Sequence, residues 1–419
     1  MNLKNYIPRY LTNYIFDESI TARHMIFLAG PRQVGKTTLA KKWLEQQKCS
    51  KLYYNWDNIK TRQAYRKDSH FFESPARTLH LDNPWIVFDE IHKRNGWKSI
   101  LKGVYDIFQD EFRFLITGSA RLDLFRRSGD SLVGRFNMFH MMPFSLCEVL
   151  NYDFQLPFLA EKNIVSSFYD RITQQVQVEV TDAFNNLLNF GPFPEPFTSQ
   201  TDRFSTKWHQ DYSSLLIHQD LKDISRVVEL DKIEQLFEIL STRLMSPLSM
   251  PNLGNDLETS HTTIKTWLEQ LKRLYLIFPV LPWSKNILRG LKKEKKWYYL
   301  NWYFADNKSS KLENMVASNL YRTCLTLTDM GYGKYKLFYL RTIDKQEIDF
   351  IITKNNQPVV AVEVKTGDTS LSKTLKNRSK WFKALPCIGL QVVNKRNILK
   401  KIDDTTWIVS VERFFKILP

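Results

Sequence analysis

Three apolar runs in the first third of the chain stop abruptly on polar or small residues. "MIFLA" (Met25 to Ala29) meets Gly30, "WIVF" meets Asp89 and Glu90, and "RFLITGSA" ends on Thr117, Gly118 and Ser119. Runs without polar alternation belong to strands covered on both faces, so they predict a parallel sheet with those polar residues at its carboxyl edge. Leu39, Ala40, Trp43 and Leu44 then recur at helical spacing. From Lys232 onward, "KIEQLFEILSTRL", "NLGNDLE" and "SHTTIKTWLEQLKRLYLI" predict helices, with Leu253, Leu257, Ile264, Trp267, Leu268 and Leu271 facing inward and Ser260 as an N-cap. "FPVLPWSKNILRGLKKEKKWYYL" predicts two strands around a basic loop. "SKLENMVASNLYRTCLTL" predicts an amphipathic helix carrying Glu313 near its start. Next come a strand, "YKLFYLRT", a strand pair around a turn near Asn356, "EIDFIITKNNQPVVAVEVK", a basic helix, "SLSKTLKNRSKWFKAL", and a last strand, "CIGLQVV".

A chain of 419 residues with 43% hydrophobic content exceeds one core and predicts two or three domains. The Gly- and Pro-rich "NFGPFPEPF" suits a hinge, placing boundaries at residues 1–190, 191–300 and 301–419. Sixty Lys and Arg against 44 Asp and Glu leave a net charge of +16, which favours a polyanion such as DNA as partner. Cys49, Cys147, Cys324 and Cys387 show no metal spacing and are expected as reduced thiols. Apolar runs such as "LIFPVL" fall far short of a bilayer span, and the N-terminus mixes charges into its apolar residues, so a cytoplasmic protein without membrane contact is expected.

The loop after the first strand has GxxxxGK[ST] spacing: Gly30, Pro31, Arg32, Gln33, Val34, Gly35, Lys36, Thr37, with Thr38 following. Glycines let backbone N–H groups close around phosphate oxygens, Lys36 neutralises the outer phosphates, and the Thr37 hydroxyl suits magnesium. Asp89 is placed to hold that ion through water and Glu90 to orient or deprotonate an attacking water, with Thr117 and Ser119 near the γ-phosphate. ATP and Mg2+ are the expected cofactors.

"GPRQVGKTTL", "FDEIHK", "LITGSARL", and "SLVGRF" followed by "PFSLCEVL" resemble the AAA-type P-loop ATPases of bacteria and archaea that carry a C-terminal domain of uncharacterised function. The resemblance implies an arginine finger, for which Arg135 is the candidate, reaching a neighbouring subunit in a homo-oligomer. An ordinary surface arginine is the alternative. The helices after Lys232 and the basic strand pair suggest a winged helix, with Lys285, Arg289, Lys292, Lys293, Lys295 and Lys296 set to lie along phosphates and His261, Thr262 and Lys265 near a groove. A protein-packing spacer fits the same pattern.

Within "EIDFIITKNNQPVVAVEVK", Glu363 and Lys365 share a face and a turn near Asn356 sets Asp349 opposite Glu363. On charge alternation alone, a solvated polar face explains this better than a site does. Glu in the preceding helix, Asp in the second strand and ExK in the third resemble the PD-(D/E)XK nuclease fold. That resemblance implies magnesium on Asp349, Glu363 and a carbonyl near Val364, with Glu313 completing a second position or orienting water and Lys365 stabilising the phosphate. Lys373, Lys376, Lys380 and Lys383 line the later helix, and Gln391 follows near the site. The whole reads as α/β: a P-loop core with a parallel sheet, an all-α winged-helix domain, and an α/β restriction-endonuclease-like domain. The expected function is a DNA-associated magnesium-dependent ATPase with a nuclease-like domain; a nucleotide switch that binds DNA or protein without cutting, or an oligomerisation scaffold, are the alternatives.

Overall fold

The computed structural model describes residues 6–21, 23–118, 122, 132–152, 155–224, 229–284, 294–342, 344, 346–382 and 387–419. They cluster into two compact units, Leu11–Met142 and Pro143–Pro419 together with Met1–Tyr10.

The first unit is built on a five-stranded sheet, all parallel, in the order β2-β3-β4-β1-β5, from β1 (Met25–Ala29), β2 (Tyr53–Asn55), β3 (Trp85–Asp89), β4 (Arg113–Thr117) and β5 (Phe136–His140). Every residue of β1 is buried, as an uninterrupted apolar run requires of a central strand. The register places Asn55 beside Asp89 and Asp89 beside Thr117, so the polar residues closing three strands meet at one edge. The helix Lys36–Gln46 starts at that edge and packs against β3 and β4.

In the second unit, helices including Leu230–Arg243, Met250–Asp256 and His261–Arg273 lead into an eight-stranded sheet. Ser260 caps the last of them by accepting the Thr263 N–H at 3.1 Å, and Ile264, Trp267, Leu268 and Leu271 are buried. The sheet runs β12-β13-β11-β10-β9-β8-β6-β7, with β6 (Ile277–Pro282), β7 (Lys296–Tyr299), β8 (Tyr335–Arg341), β9 (Glu347–Lys354), β10 (Gln357–Lys365), β11 (Ile388–Val393), β12 (Leu399–Asp403) and β13 (Thr406–Ser410). Three features differ from expectation. The strands β6 and β7 form an antiparallel pair after the helices, yet β6 also pairs in parallel with β8 at Leu281–Phe338 and Pro282–Tyr339, which makes both part of the large sheet. The basic helix is only Lys373–Lys376 followed by a short 3₁₀ turn at Arg378–Lys380, because Arg378 folds inward onto the Cys387 and Thr405 carbonyls. Two strands beyond "CIGLQVV" add an edge: β13 pairs with β11, and β12 with β13. Four of the six basic residues expected along the β6–β7 loop, Lys285, Arg289, Lys292 and Lys293, lie outside the described residues, as does Lys383.

The β9–β10 hairpin positions the acidic residues. Its turn is Asn355 and Asn356 at φ 51° and 68°, a left-handed pair whose twist matches that of the strands. Lys354 pairs with Gln357 and Thr353 with Pro358, and then the register shifts so that Ile352 pairs with Val360 and Phe350 with Val362. One extra residue, Val359, is thus accommodated beside a proline that has no N–H to give. Continuing that shifted register brings Glu363 opposite Asp349, whereas the unshifted one would turn Glu363 to the other face. Branched side chains tolerate φ near +68° poorly, so Asn356→Val is expected to cost about 1–2 kcal/mol and Asn356→Gly less than about 0.5, read as shifts in the urea midpoint of the full chain.

Candidate nucleotide and acidic sites

At the edge of the first sheet the loop backbone turns through left-handed conformations. Gly30 and Gly35 have φ of 148° and 100°, and Gln33 one of 59°. A Cβ on Gly30 would lie 2.2 Å from the Met141 carbonyl oxygen, so no other residue fits. Val34 is fully buried and anchors the loop. The helix Lys36–Gln46 begins after Gly35, a cap position with no side chain to bond its first turn. Lys36 is buried and its ammonium donates to the Gly30 carbonyl at 2.9 Å and to the Pro31 carbonyl, which ties the loop to the start of its own helix.

Asp89, 2% exposed, accepts hydrogen bonds from three hydroxyls: Thr37 at 2.9 Å, Thr117 and Tyr53. The Thr37 hydroxyl and Asp89 carboxylate are the hard oxygen pair magnesium takes, and with the uncapped helix start they fit a Mg2+-bound triphosphate. Glu90 follows in a left-handed conformation, φ 59°, held by its N–H to the Thr117 carbonyl at 2.9 Å. A non-glycine residue there stores strain, and the effect is to turn Glu90 out of the strand direction beside Asp89. Its carboxylate lies 3.4 Å from His92 Nε2 and 3.5 Å from Lys93 Nζ; burial raises its pKa, opposed by Lys93 and Lys36. Arg135 pairs with Asp106 in its own unit, Nε to Oδ1 2.8 Å, over the Tyr105 ring. Ser119 lies outside the described residues. Arg32 and Thr38 are half-buried and Gln33 is exposed. Tyr53, the first residue of β2, is not marked in the sequence because "KLYYNWD" carries no motif; it stands beside Val87 in the register and donates its hydroxyl to Asp89.

The second site is on the large sheet. Asp349 accepts the Val364 N–H at 2.8 Å, and Glu363 Oε1 pairs with Lys365 Nζ at 2.9 Å. Glu313, 5% exposed on the helix Lys308–Asp329, accepts the Tyr298 hydroxyl at 2.8 Å. The next residue, Asn314, clamps the helix to β7 by accepting the Tyr299 N–H at 2.9 Å and donating to the Tyr299 carbonyl at 2.6 Å. Burial, then the Asp349 charge, raises the pKa of Glu313, with Lys296 opposing; burial and Asp349 likewise raise Glu363, with Lys365 opposing. Asp349 is raised by burial against the pull of Lys296. Burial works against the Lys365 charge, but Glu363 and Asp349 outweigh it and hold its pKa above the ordinary lysine value. Asp349 is thus the charge shared by this group, acting on Glu313, Glu363 and Lys365 alike.

That group has members the sequence reading placed elsewhere. Lys296, expected along the exposed basic loop, is 1% exposed and ion-paired with Glu347. Lys295 lies 3.7 Å from Glu269. Tyr298 and Lys296 are two apart on β7, and Glu347 and Asp349 two apart on β9, so the period-two rule that linked Glu363 to Lys365 was available for both. Gln391 sits opposite Glu363, but its amide holds the 368–372 loop through Asp368, Ser370 and Ser372. Among the described residues no three His, Cys, Asp or Glu side chains form a ready metal cage. One observation does fit a divalent ion: Glu363 Oε2 is buried with no hydrogen-bond partner. All four cysteines are free of disulfides, and no helix among the described residues is long and apolar enough to cross a membrane.

Residues 22–150 match an AAA domain, a type that binds and hydrolyses ATP, usually with Mg2+. Residues 181–302 and 308–414 match two domains of unknown function, DUF8612 and DUF4143. An uncharacterized protein of Methanocaldococcus jannaschii is 24% identical over 95% of this chain and 86% of its own. Uncharacterized proteins of Mycobacterium bovis and Mycobacterium tuberculosis are each 21% identical over 84% of this chain and 73% of theirs. The structure of C. elegans PCH-2 aligns with 15% identity and a TM-score of 0.23, covering 61% of this chain and 64% of its own.

A carboxyl whose folded-state pKa lies above its unfolded value withdraws stability as pH rises from about 4.3 through the raised value. Glu313→Gln removes that penalty. The variant is expected to melt a few degrees above the wild type at pH 8 without divalent ions, by roughly 1–2 kcal/mol, and the gap to close toward pH 4. Calorimetry across that range checks it; a gap independent of pH contradicts the assignment.

Proposed function

We propose that this chain is a magnesium-dependent ATPase that acts on DNA, with a metal-dependent nuclease-like centre in its C-terminal unit. The observation that carries the ATPase reading is the network in which the P-loop hydroxyl of Thr37 and the strand-end hydroxyl of Thr117 meet on the buried Asp89 carboxylate. When nucleotide is bound, the cofactor supplies a phosphoryl group made electrophilic by its metal ion. Lys36 would exchange its carbonyl partners for phosphate oxygens. The Thr37 hydroxyl would hold the ion directly and Asp89 would hold it through water. Glu90, its proton affinity raised by burial, orients and deprotonates water. Arg135 reaches a neighbouring subunit only by giving up Asp106.

For the second centre, the support is the shared charge of Glu313, Asp349, Glu363 and Lys365 and the unpartnered Glu363 oxygen. Asp349 and Glu363 would hold the ion, Lys365 would face a scissile phosphate, and the net charge of +16 supports a polyanionic substrate. A second reading, a nucleotide switch whose C-terminal unit binds without cutting, is favoured by one feature. Glu313, Asp349 and Glu363 each have a partner within the chain, in Tyr298, Val364 N–H and Lys365.

Lys36→Ala is expected to lower magnesium-dependent ATP turnover at least about 100-fold, because one charge-assisted contact to the transferring phosphoryl group is lost. Phosphate release assays read this, and unchanged turnover removes the ATPase reading. Incubation of supercoiled, linear, branched and single-stranded DNA with Mg2+ or Mn2+ is expected to give cleavage that Asp349→Ala abolishes. No cleavage of any of them by the wild type leaves the switch.

A further inference from the structure

Lys296 is the residue whose position the chemistry least expects. Its backbone is pinned from both sides, against Val280 of β6 and against Pro247. Its side chain is 1% exposed, where a strand residue is ordinarily apolar. An ammonium withdrawn from water costs several kcal/mol unless partnered, so its surroundings must repay it. They do: Glu347 takes an ion pair, the Tyr339 ring face lies 5.3 Å away, and the Lys296 charge opposes the proton affinity of both Glu313 and Asp349.

We propose that Lys296 is a resident cation of the acidic centre, its ammonium standing where a second metal ion would, so that the centre takes a single divalent ion at Asp349 and Glu363. The proposal rests on the reading of this centre as a metal site. Two ion pairs run through this centre, Lys296 to Glu347 and Lys365 to Glu363. Lys296 also stands two residues from Tyr298 on β7, and the Tyr298 hydroxyl donates to Glu313. The place for the ion is marked. Glu313 is engaged by Tyr298, Glu347 by Lys296 and Arg341, and Asp349 by the Val364 amide. Glu363 Oε2 is the buried carboxylate oxygen left without a partner among the described residues. Lys296 comes from β7, ahead of the helix and strands that hold the other members, so Lys296 is a positioning residue contributed by the β6–β7 pair.

Titration of the full-length chain with Mn2+ in the absence of nucleotide, followed by electron paramagnetic resonance, tests this without relying on cleavage. The wild type is expected to bind one ion that Asp349→Ala loses. Lys296→Met is expected to bind a second ion magnetically coupled to the first, and Lys296→Arg to keep one. A Lys296→Met protein with one ion at unchanged affinity overturns the role of Lys296 and leaves the metal centre standing; a coupled pair in the wild type does the same. A wild type with no Asp349-dependent ion removes the metal centre and this proposal with it. If Lys296→Met does not fold, Glu347→Gln decides: it frees the Lys296 charge toward the ion and is expected to weaken Mn2+ binding about tenfold. Unchanged affinity in a folded Glu347→Gln protein overturns the proposal.

Discussion

A carboxylate taken out of water must be given hydrogen bonds or opposite charge, and both centres of this chain are arranged around that demand. In the first unit the answer is hydroxyls. Asp89 draws Thr37, Tyr53 and Thr117 onto its two oxygens, each from a different element, and thereby ties the P-loop helix to the ends of two strands. In the second unit the answer is charge. Several acids share a buried face, and Lys296, Lys365 and the Tyr298 hydroxyl are what make their proximity tolerable. Burial and the Asp349 charge still raise the proton affinities of Glu313 and Glu363, so the counter-charges offset that proximity only in part.

The scaffolds meet that demand in different ways. A parallel sheet presents all its carboxyl ends at one edge, so short polar endings on separate strands converge without any irregularity in the strands themselves. Irregularity is confined to the loops, where Gly30 is forced by the Met141 carbonyl and Glu90 is turned by a left-handed backbone. The mixed sheet of the second unit works from strand faces instead, and there a face is chosen by register. The extra residue at Val359, and a second shift between Phe338 and Leu340 against β9, place irregular pairing on both sides of the Asp349 strand. The expected basic helix beyond it dissolves for an ordinary reason, since the Arg378 guanidinium is worth more bonded to carbonyls in the interior than displayed on a helix surface.

Much of this was written locally. The spacing Gly30-x4-Gly35-Lys36-Thr37 needs only six to eight consecutive residues to form its loop, and the apolar runs ending on Asp89 and Thr117 needed only burial to become sheet strands. Ser260 as a cap, and the pairing of Glu363 with Lys365 on one strand face, are likewise properties of neighbours in the chain. What no local pattern held was the choice among faces and the origin of the counter-charges. A turn centred between Asn355 and Asn356 would by itself have sent Glu363 away from Asp349, and the bulge that corrects it depends on how β9, β10 and their neighbours settle together. Lys296 looked like one lysine in a solvated basic run, because a sequence shows charge but not solvent. Only the pairing of β7 into the large sheet, which sets that side chain against Glu347 with almost none of it exposed, decided that it belongs to the acidic centre, since the interaction is between residues distant in the chain and its strength comes from the low dielectric that folding creates.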